Sequence, residues 1–322
     1  MRPSLTTWLR WLAAVGLVAI VLTGFDLGLV AARLAGANLL LAVPAIAGLV
    51  AIHLVGAVAW RRLLHAFAGI RPDWRESVRI YYAAQAVGSI TPGNVGADLY
   101  RVATVDGATP RRAAAVPILL QRVTSTAAMV VLGAGGMAVL ASRELVQRSL
   151  ADAVPWALGA GAIALLVVGA AALRYRGQLS AAWRSGREHA SVLLRDGFGL
   201  GLVFHAVSIL LGWALVVAVD PGTAARSGEV LAILAIARLS VVLPLSPAGL
   251  GIQEAAVSVL FVQSGLDPQV ALAAILLNRV ALLAMVMIGA AALVGARATR
   301  RQATIATPAP ALRKVAPVAP PR

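Results

Sequence analysis

Residues Pro244-Leu245-Ser246-Pro247-Ala248-Gly249-Leu250-Gly251 interrupt an apolar region that otherwise runs from about 230 to 264. Two prolines and two glycines in eight residues do not continue an α-helix. Each Pro removes an amide donor and crowds the preceding turn, and each Gly weakens a helix by about 1 kcal/mol. Unwound backbone at membrane depth survives only against protein or a wet cavity. The stretch therefore predicts a helix–break–helix hairpin that enters and leaves on one side. A second apolar region, about 78–105, breaks in the same way at Thr91-Pro92-Gly93-Asn94-Val95-Gly96.

The rest of the chain supplies the membrane in which such breaks make sense. Of 322 residues, 60% are hydrophobic and 13% charged, against about 25% charged in a soluble domain. With a mean hydropathy of +0.86, this composition excludes a soluble enzyme, a disordered chain and a disulfide scaffold. Cysteine is absent, so neither a disulfide framework nor a Cys-based zinc site is expected. Apolar runs at 10–31, 39–60, 114–140, 155–173, 198–219 and 270–296 reach the roughly 20 residues that a bilayer crossing needs.

Arginine placement tests the arrangement. The net charge is +15. With a cytoplasmic N-terminus, six crossings and two hairpins that do not cross, the inner segments hold 21 Lys/Arg. The outer segments hold Arg33, Arg143, Arg148 and Arg226. That asymmetry matches the positive-inside rule and would fall if the hairpins crossed. The charge is thus read as topology, with no nucleic-acid partner. Both termini are placed in the cytoplasm and the chain in the cell membrane. The segment 178–195 is read as lying on the inner membrane surface. Residues 298–322 are read as a disordered basic tail rich in Pro and Ala, leaving 1–297 as the transmembrane domain.

The two broken regions resemble each other. Thr91-Pro92-x-x-Val95-Gly96 matches Ser246-Pro247-x-x-Leu250-Gly251, and an acid follows each, Asp98 and Glu254. Downstream, Ile118-Leu119-Leu120-Gln121-Arg122-Val123 matches Ile275-Leu276-Leu277-Asn278-Arg279-Val280. The offsets agree: 247 − 92 = 155 and 279 − 122 = 157. Three crossings separate the hairpins, and an odd number inverts the second unit. The expected fold is therefore all-α and polytopic, with six crossing helices and two re-entrant hairpins. They form an inverted repeat with units at about 78–140 and 230–296, an architecture that recurs in transporters.

These motifs resemble a known family. Leu243-Pro244-Leu245-Ser246-Pro247-Ala248-Gly249-Leu250-Gly251-Ile252-Gln253-Glu254-Ala255, with Asn278-Arg279 downstream, is similar to the transmembrane region of lysylphosphatidylglycerol synthases. Pro92-Gly93-Asn94-Val95-Gly96-Ala97-Asp98-Leu99-Tyr100-Arg101 resembles that family's Pro-Gly-x-x-Gly-(Glu/Asp)-Leu-x-Arg signature. The resemblance covers about residues 8–297. It implies a lipid flippase; in bifunctional relatives a separate soluble domain makes the aminoacyl-lipid, and that half is expected to be missing here. Gln121 stands where relatives often have Glu, and Ser125 where an acid often follows the Arg.

Arg122 and Arg279 lie inside apolar runs, where an Arg costs at least ~2.5 kcal/mol and usually faces a cavity or a partner. Two readings stay open: a pocket for a lipid phosphate, or ion pairs with Asp98 and Glu254 that pin a hairpin to a helix. Arg238 is a weaker candidate, since it can snorkel outward. Arg101, Gln121, Gln253 and Asn278 complete the substrate-binding set with Asp98 and Glu254. Pro92, Gly93, Gly96, Pro247, Gly249 and Gly251 mark the breaks, after which a half-helix can present its amides to an anion. His53 reads as an interior histidine, and Trp8, Trp11, Trp60 and Trp156 as an interfacial belt.

The leading expectation is a flippase-like transporter of an amphipathic lipid carrying a phosphate-bearing headgroup, not an enzyme, with no cofactor. Two alternatives are weighed. One is an integral membrane transferase, for which no D-x-D, no D-D-x-x-D and no His pair at helical spacing is present. The other is a non-transporting scaffold. A homo-oligomer or a lipid-modifying partner stays open.

Overall fold

A computed structural model of the protein describes residues 26–91, 94–105, 111–141, 188–239 and 251–306. These segments are helical, with short connections. The first, α1 (Leu27–Ala35), begins where the Asp26 carboxylate accepts from the Leu29 amide at 3.1 Å. Asp26 is extended, so the expected crossing over 10–31 does not continue as one helix through this point. Its residues 10–25 lie outside the described residues.

Two stacked segments follow, α2 (Leu39–Ala51) and α3 (His53–Ala68). The Asn38 side chain caps α2 on the Leu40 amide at 3.0 Å, satisfying one of the donors a helix start leaves open. The first hairpin is α4 (Trp74–Ser89), capped by Asp73, and α5 (Val95–Thr104). A long helix α6 (Arg111–Leu140) comes next. Then α7 spans Ala190–Val219 and contains a π-helical stretch at Leu193–Gly199. The second region holds α8 (Ser227–Leu239) and α9 (Ile252–Gln263), followed by α10 (Pro268–Ala306).

Among the described residues four helical stretches are long and apolar enough to cross a membrane: Leu39–Ala68, Ala113–Leu140, Ala190–Val219 and Pro268–Gly295. They correspond to the expected runs at 39–60, 114–140, 198–219 and 270–296. The run at 155–173 lies outside the described residues. Leu40, Leu283 and Met287 stand exposed on these helices, as lipid-facing side chains do.

Two boundaries differ from the sequence reading. Residues 190–195, expected on the membrane surface, are the first turns of α7. Helix α10 continues to Ala306, past residue 297, because nothing in Ala298–Ala306 breaks a helix. Residues 307–322 lie outside the described residues.

Contacts sort the helix ends into two groups. At one end Arg62 pairs with Asp196 at 2.8 Å and Phe67 packs on His189. Val105, just after α5, shares an apolar cluster with Ala68 and Ile70 there. At the other end Asn38 donates its amide to the Ala218 carbonyl at 2.8 Å, and Arg33 pairs with Asp267 at 3.0 Å. Arg226, just before α8, donates to the Ser264 and Gly265 carbonyls just after α9, at 2.5 and 3.2 Å. The two ends of the α8–α9 region therefore lie side by side.

The two regions also pack across each other. Helix α4 crosses α10 at Gly289, where a Cβ would collide with the Tyr82 carbonyl. Helix α8 crosses α6 at Gly136, where a Cβ would stand 2.6 Å from the Ala232 carbonyl. The first arm of each region thus lies on the long helix of the other, at a backbone separation only glycine allows.

Candidate functional site

Each break is followed by a short helix carrying an acid, and each acid reaches an arginine on the next long helix. Pro92, Gly93, Pro247 and Gly249 lie outside the described residues; the described flanks are Thr91 and Asn94–Gly96 at the first break and Gly251 at the second. At the first, Asn94 adopts the left-handed region at φ 59, and the Thr91 hydroxyl accepts from the Gly96 amide at 2.9 Å. A Cβ on Gly96 would press on Thr91. At the second, Gly251 has φ 81, a conformation side chains rarely adopt.

In the first cluster Asp98 accepts from Arg101 at 2.5 Å and from Arg122 at 2.8 Å. Arg101 also donates to Gln121 Oε1 at 2.8 Å, and Gln121 donates to the Gly56 carbonyl at 2.9 Å. The Arg101 guanidinium lies over the Trp60 and Tyr81 rings, 5.9 and 5.4 Å from their centroids. Such cation–π contacts suit a guanidinium removed from water. Trp60 is fully buried, so it does not belong to an interfacial belt: the cation it covers lies inside the fold.

In the second cluster Glu254 Oε1 accepts from Arg279 Nε and Nη2 at 2.8 and 2.6 Å. Glu254 Oε2 accepts from the Gly251 amide at 2.8 Å. Both side chains are nearly buried. Each arginine stands equally far along its helix, 122 − 111 = 11 and 279 − 268 = 11 residues from the first. That is roughly 16 Å along the helix.

The remaining candidates, Arg238, Gln253 and Asn278, line one cavity between α7, α8, α9 and α10. The structure therefore distributes the predicted residues over three places: the Asp98 cluster, the Glu254–Arg279 pair, and this cavity.

Sequence reasoning did not single out Ser208, which also lines the cavity, or His205, one turn earlier. His205 Nε2 lies 3.1 Å from the Ser125 hydroxyl of α6. The signal was present, since a polar pair spaced by three in an apolar helix marks an inward face. His53 is interior, as read, stacked edge-on against Phe204 and beside Tyr81 and Tyr82. Its Nδ1 has no hydrogen-bond partner.

The arrangement offers fixed, compensated charge in two clusters and a separate, mostly apolar cavity that Arg238, Gln253 and Asn278 line. A family model described as lysylphosphatidylglycerol synthase TM region matches residues 7–290. No curated protein and no solved structure matches the chain.

Proposed function

The chain belongs to the family of lysylphosphatidylglycerol synthase transmembrane regions, and from that premise we propose a flippase-like transporter that moves a phosphate-bearing amphipathic lipid between leaflets. The observation that carries the reading is the repeated ion pair. An acid just after each break, Asp98 or Glu254, is held by an arginine eleven residues into the next long helix, 122 − 111 = 11 and 279 − 268 = 11. Charge within a membrane-spanning helix is retained where it serves a pathway.

In this reading six helices cross and two hairpins re-enter, in inverted orientation. The pairing of Arg226 with residues beyond α9 supports a second hairpin that returns to its own side. The crossed packing of α4 on α10 and α8 on α6 supports two equivalent units. The end that gathers Arg61, Arg62, Arg71, Arg75 and Arg195 is assigned to the cytoplasm and the end with Arg33 and Arg226 to the outside. The headgroup passes between the hairpins while the acyl chains stay in lipid. The protein moves lipid without modifying it, with its termini in the cytoplasm of the cell-membrane side.

Reconstitution into liposomes with headgroup-labelled lipids tests this. The expected result is faster exchange between leaflets than in protein-free vesicles for a phosphate-bearing lipid. No acceleration across several lipid classes would remove the reading.

A further inference from the structure

The cavity between α7, α8, α9 and α10 has mostly apolar walls, among them Leu215, Leu234, Val257 and Ile275. Three polar side chains enter it from three different helices: Arg238 from α8, Gln253 from α9 and Asn278 from α10. Among the described residues none of the three has a hydrogen-bond or ion-pair partner. Ser208 also lines the cavity but donates its hydroxyl to the Phe204 carbonyl at 2.6 Å. This separates Arg238 from Arg122 and Arg279, each of which holds a carboxylate.

Among the described residues no acid lines the cavity, so its lining adds no negative charge. The charged and titratable neighbours that feel Arg238 are the imidazoles of His53 on α3 and His205 on α7. An unpaired cation in an apolar interior is costly, and unsatisfied amides beside it add to the cost. An anion bound in the cavity satisfies all three groups together.

We propose that this cavity is a binding site for a singly charged phosphate oxyanion, seated on the Arg238 guanidinium and oriented by the Gln253 and Asn278 amides. The inference deepens the transport reading and rests on it for the lipid as the source of the phosphate. A guanidinium presents a planar fork that matches two phosphate oxygens, and the amides reach the others. The apolar walls suit the ester carbons of a diester. One guanidinium compensates one charge, so a dianion would leave a charge uncompensated in a low-dielectric site.

The test uses the full-length protein in neutral detergent, titrated calorimetrically with three probes: dihexanoyl phosphatidylglycerol, dimethyl phosphate and inorganic phosphate. The lipid is expected to bind, and Arg238→Gln to weaken it at least about 30-fold, roughly 2 kcal/mol. Ligand-free Arg238→Gln is expected to melt no lower than wild type, because it removes an unpaired interior charge. Arg238-dependent binding of the lipid alone identifies a headgroup site. Equal Arg238-dependent binding of the two free phosphates identifies a soluble anion and still supports the site. Binding unchanged by Arg238→Gln, no binding of any probe, or a lower melting temperature of the ligand-free variant overturns it. The transport reading fails separately: Arg238-dependent binding without lipid movement in vesicles keeps the site and removes the flippase.

Discussion

Glu254 divides its carboxylate between Arg279, 2.6 Å from Oε1, and the Gly251 amide, 2.8 Å from Oε2. One side chain thus starts α9 after the break and ties it to α10. Breaking a buried pair from one side typically costs about 3–5 kcal/mol, because the other charge is left alone. Thermal melts in detergent are expected to rank wild type above Glu254→Gln, and Glu254→Gln above Glu254→Ala. The amide still accepts from Gly251, whereas Ala loses cap and pair. The double variant Glu254→Gln/Arg279→Gln is expected to cost less than the sum of the singles.

Asp98 serves two arginines, and the Arg122 side chain is 43% exposed against 14% for Arg279. Removing Arg122 leaves Asp98 still held by Arg101. Arg122→Gln is therefore expected to lower the melting temperature less than Arg279→Gln. Equal losses would show that Arg122 is as structural as Arg279.

Arg101 uses separate nitrogens for Gln121 and Asp98 while its plane lies over Trp60 and Tyr81. A lysine carries the charge but neither the fork nor the plane. Arg101→Lys is expected to lose most of what Arg101→Gln loses in melting temperature, so the conservative change fails to rescue.

Gly289 and Gly295 lie on the same helix in opposite circumstances. A Cβ at Gly289 collides with the Tyr82 carbonyl, while one at Gly295 meets none of the described atoms within 4 Å. Gly289→Ala is expected to lower the melting temperature clearly. Gly295→Ala is expected to leave it unchanged or raise it slightly, through the ~1 kcal/mol helix preference of Ala over Gly.

The side assignments can be read by single-cysteine labelling, since the chain has no native cysteine. Ala224→Cys, before α8, and Gln263→Cys, at the end of α9, are expected to label in intact cells with an impermeant maleimide. Glu76→Cys, in the first turn of α4, is expected to label only after permeabilisation. Labelling of Ala224→Cys and Gln263→Cys from opposite faces would overturn the re-entrant second hairpin.

The sequence alone determined the membrane class, the spans at 39–60, 114–140, 198–219 and 270–296, the break between α4 and α5 and the start of α9 at Gly251. These depend on local chemistry: apolar length, proline's missing donor, the left-handed backbone that Gly251 adopts. It also located the salt-bridge groups of the two clusters: Asp98, Glu254, Arg122 and Arg279 through the matched repeat, and Arg101 after the first break. What it left open was whether those arginines have partners inside the fold, and the tertiary structure pairs Arg122 with Asp98 and Arg279 with Glu254. Tertiary structure alone buried Trp60 beneath Arg101, joined Gln121 to Gly56 across 65 positions of sequence, and gathered Arg238, Gln253 and Asn278, without a partner among the described residues, around one cavity. Periodicity tells which face of a helix turns inward but not which helix it meets there. That depends on crossing points such as Gly136 and Gly289, set by how close two backbones can come.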